Sequence, residues 1–460
     1  MNDTNSPART ANVAPDVTRK LARFVVETKP GDIPDKVRHE ARRALLNWLG
    51  CAIGGARHPA VDAALAALAQ FSGAPDASVL GRTERLDILH AALMNGISSH
   101  VLDFDDTQHP TLIHPSGPVI PAALALAEKE RLPGEALIHS IVLGIDIACR
   151  VGRAVFPAHY RAGWHITGTA GVFGAAAAAG ALLRLSEQQM TWALGLAATQ
   201  ASGLREMFGT MSKSLHPGRA AQNGLASAFL ARAGFTSSER GIEAPAGFAH
   251  VLSTEQDFAV ALEDLGGRFE LMTNTYKPYA CGLVIHPAID GCLALRAQHG
   301  LRGPEIAKIH LDVHPLALAL TGKKTPQNGL EGKFSVFHSA AVAIIAGAAG
   351  EAQYADSVVR DPAVIALRDK ITAEVVPHLR ETQAVVRIEL ADGRVLETKV
   401  AHATGSLERP MTDEALEAKF GELASSVLAA GATRKLIDLC WSADRLDDAG
   451  AIARASVPRA

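Results

Sequence analysis

Residues 166–183 restrict the fold more than any other stretch, because they carry no charge and are built mostly of Gly, Ala and Thr, with five consecutive alanines at 175–179. Side chains this small supply little transfer free energy over the roughly 20 residues that a bilayer crossing needs. The run therefore predicts a buried helix at a tight helix–helix contact, with no membrane span. Such a helix must be surrounded by others, and the flanking sequence supplies them. Residues 35–49 place Val37, Ala41, Ala44, Leu45 and Trp48 at three- and four-residue steps, with Pro34 before them and Gly50 set to end the helix. Segments 59–71, 87–97, 122–129, 133–155, 187–199 and 219–233 keep the same rhythm, each losing it at Gly, Pro or a polar cluster. No fixed-period repeat is present, so a solenoid is not supported.

The pattern changes beyond Thr273. Residues 309–318 contain an alternating stretch that predicts a strand, and 384–400 set Asp392-Gly393 between two alternating runs, a hairpin signal. Residues 335–349 predict a helix on such a sheet, and 412–427 return to helical spacing. The expected fold is mainly α: a large all-helical domain over 17–272, completed by 405–460, with a smaller inserted α+β domain over 273–404. Three sequential domains are the alternative, but the C-terminal piece alone would have a marginal core.

At 460 residues, 48% hydrophobic and 20% charged, the chain can bury a large core and form two domains. Its 45 basic and 48 acidic residues give a formal charge of -3, with no global attraction to nucleic acid or an anionic membrane. The basic residues are dispersed and aromatics are only 5%, so no stacking, basic face for nucleic acid is indicated. Cys51, Cys149, Cys281, Cys292 and Cys440 are scattered without a Cys-x-x-Cys pair, which points to free thiols and a cytoplasmic setting. The first 16 residues are polar, lack the apolar core of a secretory signal and read as a floppy leader.

Polar chemistry gathers in four segments. Residues 98–117 hold Asp103, Asp105, Asp106, Thr107, His109 and His114, with Pro110 and Pro115 interrupting any helix. If the first part is helical, Asp103 and Thr107 share a face four residues apart. A carboxylate beside an imidazole orients it or shifts its pKa, which suits proton transfer; a capped helix end with a solvated loop is the plainer alternative. Residues 163–171 put His165 and Thr167 just before the small-residue helix, whose N-terminus favours an anion. Residues 213–224 offer Lys213, His216 and Arg219, and residues 276–290 add Lys277, Tyr279, Cys281 and His286 at the expected domain junction. No HExxH, calcium loop, cysteine pair, GxSxG elbow, GxGxxG or P-loop motif occurs.

The segments DFDDTQHPTLIHPSG, GWHITGTAG, KSLHPGRAAQNG and KPYACGLVIHPAID, in this order, resemble the MmgE/PrpD family, and GSLERPMTDEALEAKF (405–420) looks like its closing motif. The resemblance implies a homodimer whose subunits pair a helical domain with a smaller lid-like domain. It implies 2-methylcitrate dehydration, cis-aconitate decarboxylation or iminodisuccinate epimerisation, without a metal or organic cofactor. The family's active-site aspartate and threonine fall on Asp103 and Thr107, its histidines on His114 and His165, and its lysines on Lys213 and Lys277. One departure is Gly282, where the decarboxylases carry a histidine five residues after the second lysine; CGLVIHPAID looks more like the epimerase branch. The segment between Thr107 and His114 is also one residue longer than in the decarboxylases.

The expected activity is proton removal next to a carboxylate of a small di- or tricarboxylic acid. His114, His165, Asp103 and Lys213 are the expected catalytic groups, with Asp103 orienting an imidazole; Thr107, Lys277, His286 and Tyr279 are the expected substrate contacts. The alternatives are a cis-aconitate decarboxylase and a non-catalytic small-acid binding protein.

Overall fold

The small-residue run forms a helix that is buried along nearly its whole length, and the rest of the helical layer is arranged around it. In the computed structural model, which describes residues 16–458, the main helices of this layer are α1 (Val17–Glu27), α2 (Asp35–Gly55), α3 (Ile88–His100), α4 (Ser116–Glu130), α5 (Gly134–Val155), α6 (Ile166–Leu182), α7 (Glu187–Ala198) and α8 (Ser212–Arg232). The expected N-terminal leader, apart from Asp16, lies outside the described residues. Helix α6 packs on α4, α5, α7 and α8, which is why its residues are small on every side. No helix among the described residues is long and apolar enough to cross a membrane.

Close helix approach also sets the site. Helix α3 crosses α8 at Gly96 and Gly218, where a Cβ on Gly96 would lie 2.5 Å from the Gly218 Cα. Only glycine permits that distance, and it brings the C-terminal end of α3 beside the first turns of α8.

A second apolar core lies under a four-stranded sheet of β3 (Ile306–Val313), β4 (Ile371–Val375), β5 (Ala384–Leu390) and β6 (Val395–Val400), in the order β4-β3-β5-β6. Strand β3 runs parallel to β4, pairing Ile309 with Ile371, and antiparallel to β5, which forms the expected hairpin with β6. Helices α9 (His286–His299) and α10 (Val336–Ala346) pack on it, while α11 (Asp413–Ala424) and α12 (Ala430–Trp441) return to α2. The two parts are stitched by a short antiparallel pair, β1 (Thr107–Gln108) with β2 (Asn274–Thr275). Leu102 and Phe104 insert into the second core, and Asp103 and Asp105 alternate with them.

Several expectations need correction. Helix α2 continues through Gly50 because that residue packs against Phe420 of α11, where a Cβ would sit 3.0 Å from the ring. Helix α8 starts at Ser212, earlier than expected, and takes in Lys213, His216 and Pro217. The strand expected within 309–318 is present as Ile306–Val313 and stops there, since the His314 ring accepts the Leu316 N–H at 3.2 Å and Pro315 opens a short helix, Pro315–Thr321. Asp103 and Thr107 share no helical face, because α3 ends at His100.

The α3–α8 crossing yields a direct test. Gly96→Val should lower stability by about 1–3 kcal/mol, as overpacking does, read as a reduced urea midpoint. An unchanged midpoint would show that the helices can part there without cost.

Candidate active site

Beyond α3 the chain turns sharply at Asp103, whose φ of +50° lies in the left-handed region. Aspartate tolerates this conformation better than most residues, at a cost of about 1–2 kcal/mol. The turn aims its carboxylate at two ammonium groups from distant segments. Lys213, in the first turn of α8, bonds Oδ1, and Lys277, just after β2, lies 3.2 Å from the same oxygen and donates to the Asp103 carbonyl at 2.9 Å. Burial alone would push the Asp103 carboxyl up, but Lys213 and Lys277 outweigh it and hold the group well below the usual carboxylate range. Burial also pulls Lys213 down, which Asp103 opposes.

Two further buried lysines brace this turn. Lys419 of α11 donates to the carbonyls of Phe104 at 2.6 Å and Lys277 at 2.9 Å, and stands 3.8 Å from the centre of the Phe104 ring. Lys333 donates to the carbonyls of Leu102 at 2.6 Å and Ala280 at 3.0 Å and pairs with Glu351.

Imidazoles form the opposite side. The His114 Nδ1–H donates to the Asp106 carbonyl at 2.7 Å. A carbonyl only accepts, so the neutral ring carries its proton on Nδ1 and leaves Nε2 with a free lone pair. The His114 backbone N–H donates to the Thr167 hydroxyl at 3.1 Å, and Thr107 Oγ1 lies 3.4 Å from its Nδ1. His100 meets Asp105 at 2.7 Å through Nδ1, and its buried Nε2 has no partner among the described residues. His165, next to the start of α6, is 1% exposed and shares a 2.8 Å contact between its Nδ1 and that of His216. Burial and then Lys213 push His165 well below its ordinary value, and they hold His216 at about 4. Burial and the neighbouring Asp105 raise Asp106 to about 6, although Ser116 and Asn274 both donate to it.

Ring centres of His100 and His114 are 4.7 Å apart, and those of His114 and His165 6.3 Å. One nitrogen from each of His100, His114 and His165 could gather around a divalent cation, all lying within 4.8 Å of one another. The Lys213 ammonium, which lowers the proton affinity of His100 and His165, opposes another positive charge there. The same field attracts an anion.

Part of this cluster lines one cavity of about 60 Å³. Asp103, Thr107, His114, His165, Lys213 and Lys277 all reach it, with Phe208 and Phe334 among its apolar walls. Tyr279 and His286, expected to contact substrate, do not line it: the Tyr279 hydroxyl donates to Asp290 at 2.5 Å, and its ring stands edge-on to His286. His286 is fully buried at the start of α9, held at about 3 by burial and by Lys277. The Cys281 thiol is pushed up to about 11 by burial, which makes it a poor nucleophile, and exposed Arg219 bonds Gln222. Asp103 meets ammonium groups, contrary to the expected imidazole; the carboxylate beside His100 and His114 is Asp105, 3.4 Å from His114. His100 and the braces Lys333 and Lys419 were not singled out by sequence reasoning, and Asp105 and His216, though named among the polar candidates, were given no role, since nothing in their own segments names the distant group each one meets.

The sequence matches two family models, the MmgE/PrpD N-terminal domain over residues 19–261 and the MmgE/PrpD C-terminal domain over residues 279–443. The C-terminal model runs past the sheet and takes in α11 and α12. Among curated proteins, cis-aconitate decarboxylase of Aspergillus terreus is 26% identical across 95% of both chains, and the Homo sapiens protein of that name is 25% identical across 94% of this chain and 92% of its own. The 2-methylcitrate dehydratase of Salmonella typhimurium (strain LT2) is 25% identical across 85% of this chain and 88% of its own.

Burial of so many neutral imidazoles sets a pH dependence of stability. His286 is held at about 3, and His159, His216 and His338 at about 4, each chiefly by burial. In the unfolded chain they take up protons near pH 6.5, so the unfolded state binds more protons throughout the interval below that pH. Asp106 and Asp146, raised to about 6, and Glu40, Glu270 and Glu351, also raised by burial, work in the opposite sense but are outnumbered, because burial lowers His58, His100, His139 and His165 as well. The melting temperature should therefore fall between pH 7.5 and pH 5.5; calorimetry showing a constant or rising value would contradict the neutral, buried state of these rings.

Proposed function

The chain is an enzyme of the MmgE/PrpD family, and we propose that it removes a proton next to a carboxylate on a small di- or tricarboxylic acid, as a dehydratase-like lyase or an epimerase-like isomerase. The observation that carries this reading is the meeting of Lys213 and Lys277 with His114 and His165 in one cavity. Two ammonium groups face a single carboxylate, Asp103, so positive charge remains for a substrate carboxylate. Each ammonium has three N–H donors and can serve Asp103 and the substrate together.

A C–H bond beside a carboxylate is weakly acidic, and its loss moves negative charge onto the carboxylate oxygens. Fixed ammonium groups in a buried site stabilise that charge more as it grows, which lowers the barrier and not merely the dissociation constant. His114, with its Nδ1 proton committed to a carbonyl, presents Nε2 as a base. His165 stands across from it, so one ring takes the proton while the other supplies one. Delivery to a departing hydroxyl gives a lyase; delivery to the opposite face of the same carbon gives an epimerase. The arriving anion offsets the Lys213 field and raises the proton affinity of His165. Thr107 reaches the cavity, and in this reading its hydroxyl orients a carboxylate or hydroxyl of the substrate.

At about 60 Å³ the cavity is far smaller than the roughly 300 Å³ at the low end of ligand pockets. Leu283, Val284, Leu320 and Phe334, all from the 273–404 segment, wall the cavity and stand where a lid would yield to admit the acid. Cis-aconitate decarboxylation is the second reading, favoured by the relatives that carry that name. Against it, Gly282 lines the cavity with no side chain able to deliver a proton.

Incubation with 2-methylcitrate, cis-aconitate and iminodisuccinate in D2O, with products identified by NMR, tests the reading. Solvent deuterium should enter one of these acids, and His165→Asn and Lys213→Met should each slow it by about 100-fold or more. No conversion or exchange of any acid, or full activity in both variants, would overturn it.

A further inference from the structure

The abstracted proton needs a way out, since His165 is almost fully buried and stands close to Lys213. An imidazolium left there would be an added cation beside two ammonium groups. His216, one turn beyond Lys213 on α8, is half-buried and offers its Nδ1 to the Nδ1 of His165 at 2.8 Å. Two unprotonated Nδ1 atoms would repel at that separation, so one carries the hydrogen. If His216 carries it, neutral His165 is protonated at Nε2 and cannot accept another proton there. If His165 carries it, its Nε2 is a free base and His216 holds its own proton on Nε2. The hydrogen bond therefore couples the tautomers of the two rings, and only one of the two arrangements is a base.

The surroundings hold this contact in register. A Cβ at Gly168 would lie 3.1 Å from the His216 Cβ, and one at Gly203, whose φ is +129°, would lie 3.1 Å from the ring. Gly203 also accepts the His165 backbone N–H at 3.0 Å, so one short segment grips both histidines.

We infer that His216 is a positioning residue that relays protons between His165 and solvent. The inference rests on the proton-abstraction reading above. In the forward step a substrate C–H bond breaks and its proton joins His165 Nε2, while the C–H electron pair stays on the substrate. The His165 Nδ1 proton passes to His216 Nδ1, and the His216 Nε2 proton leaves to water. One proton enters the pair and one leaves, both rings end neutral, and His165 now bears its proton on Nε2, ready to act as an acid. Reversal of the same shift resets the pair. The relay removes the need for a buried imidazolium, the species that Lys213 most disfavours.

His216→Gln and His216→Phe separate the roles. The glutamine side-chain oxygen can accept the His165 Nδ1–H and hold the base tautomer, but it has no second ring nitrogen to pass a proton on; phenylalanine keeps the bulk and loses both functions. With the acid that the wild-type enzyme turns over, both variants should lose at least about tenfold in kcat with little change in KM. The glutamine variant should also incorporate less solvent deuterium per turnover, because the abstracted proton returns before it exchanges. Melting temperatures within a few degrees of wild type establish that folding is retained. Independently of any substrate, nitrogen-15 NMR of the wild-type protein should show a shared, strongly deshielded Nδ1 proton that His216→Phe abolishes. Absence of that signal in wild type, or unaltered turnover and deuterium incorporation in both variants, overturns the relay. Failure of wild type to exchange a proton in any of the acids overturns the reaction reading, and the relay with it.

Discussion

One buried carboxylate, Asp103, holds ammonium groups that arrive from opposite ends of the fold, Lys213 on the helical side and Lys277 from the strand that leads into the sheet-bearing part. Burying three charges is costly in solvation, and losing one partner from a buried pair costs about 3–5 kcal/mol because the remainder is left uncompensated. The cluster survives because the turn that presents Asp103 is itself well satisfied. Its carbonyls are taken up by Lys277, Lys333 and Lys419, and its apolar residues Leu102 and Phe104 are anchored in the second core. The strained φ at Asp103 is thereby over-determined by its surroundings. Binding field and fold depend on the same bonds.

Helix packing decides where the remaining chemistry stands. The glycine contact between α3 and α8 carries His100 and the Asp103 turn to Lys213 and His216, and α6 sets His165 at the edge of the same space. The imidazoles there are buried and held neutral, so they are bases at neutral pH without being cations. An anionic substrate changes that balance by cancelling part of the lysine field. In the proposed reaction, charge brought by the ligand, rather than a permanently charged catalyst, prepares the site for proton transfer.

Much of this was legible in the sequence. The small-residue run, the helical periodicities and the Asp-Gly hairpin each follow from local side-chain physics; the buried helix and the hairpin appear where expected, while several helices, α2, α4 and α8 among them, run beyond their expected bounds. Asp103, Thr107, His114, His165, Lys213 and Lys277 reach one cavity. What the sequence could not supply is pairing across distance. That Asp103 faces lysines and Asp105 faces imidazoles depends on a turn in the left-handed region, which no residue type signals when it is aspartate. Tyr279 and His286 look as polar as the true lining residues, yet α9 turns them toward Asp290 and the second core. Lys419 lies far along the chain, and only the return of α11 to α2 brings it beneath the turn.

A crystal structure with tricarballylate, a tricarboxylic acid with no hydroxyl to lose, tests the central claim most directly. A carboxylate within hydrogen-bond distance of both Lys213 Nζ and Lys277 Nζ, with an adjacent carbon facing His114 or His165, is the predicted result. Both ammonium groups bound only to Asp103, with the acid lodged elsewhere, would contradict it.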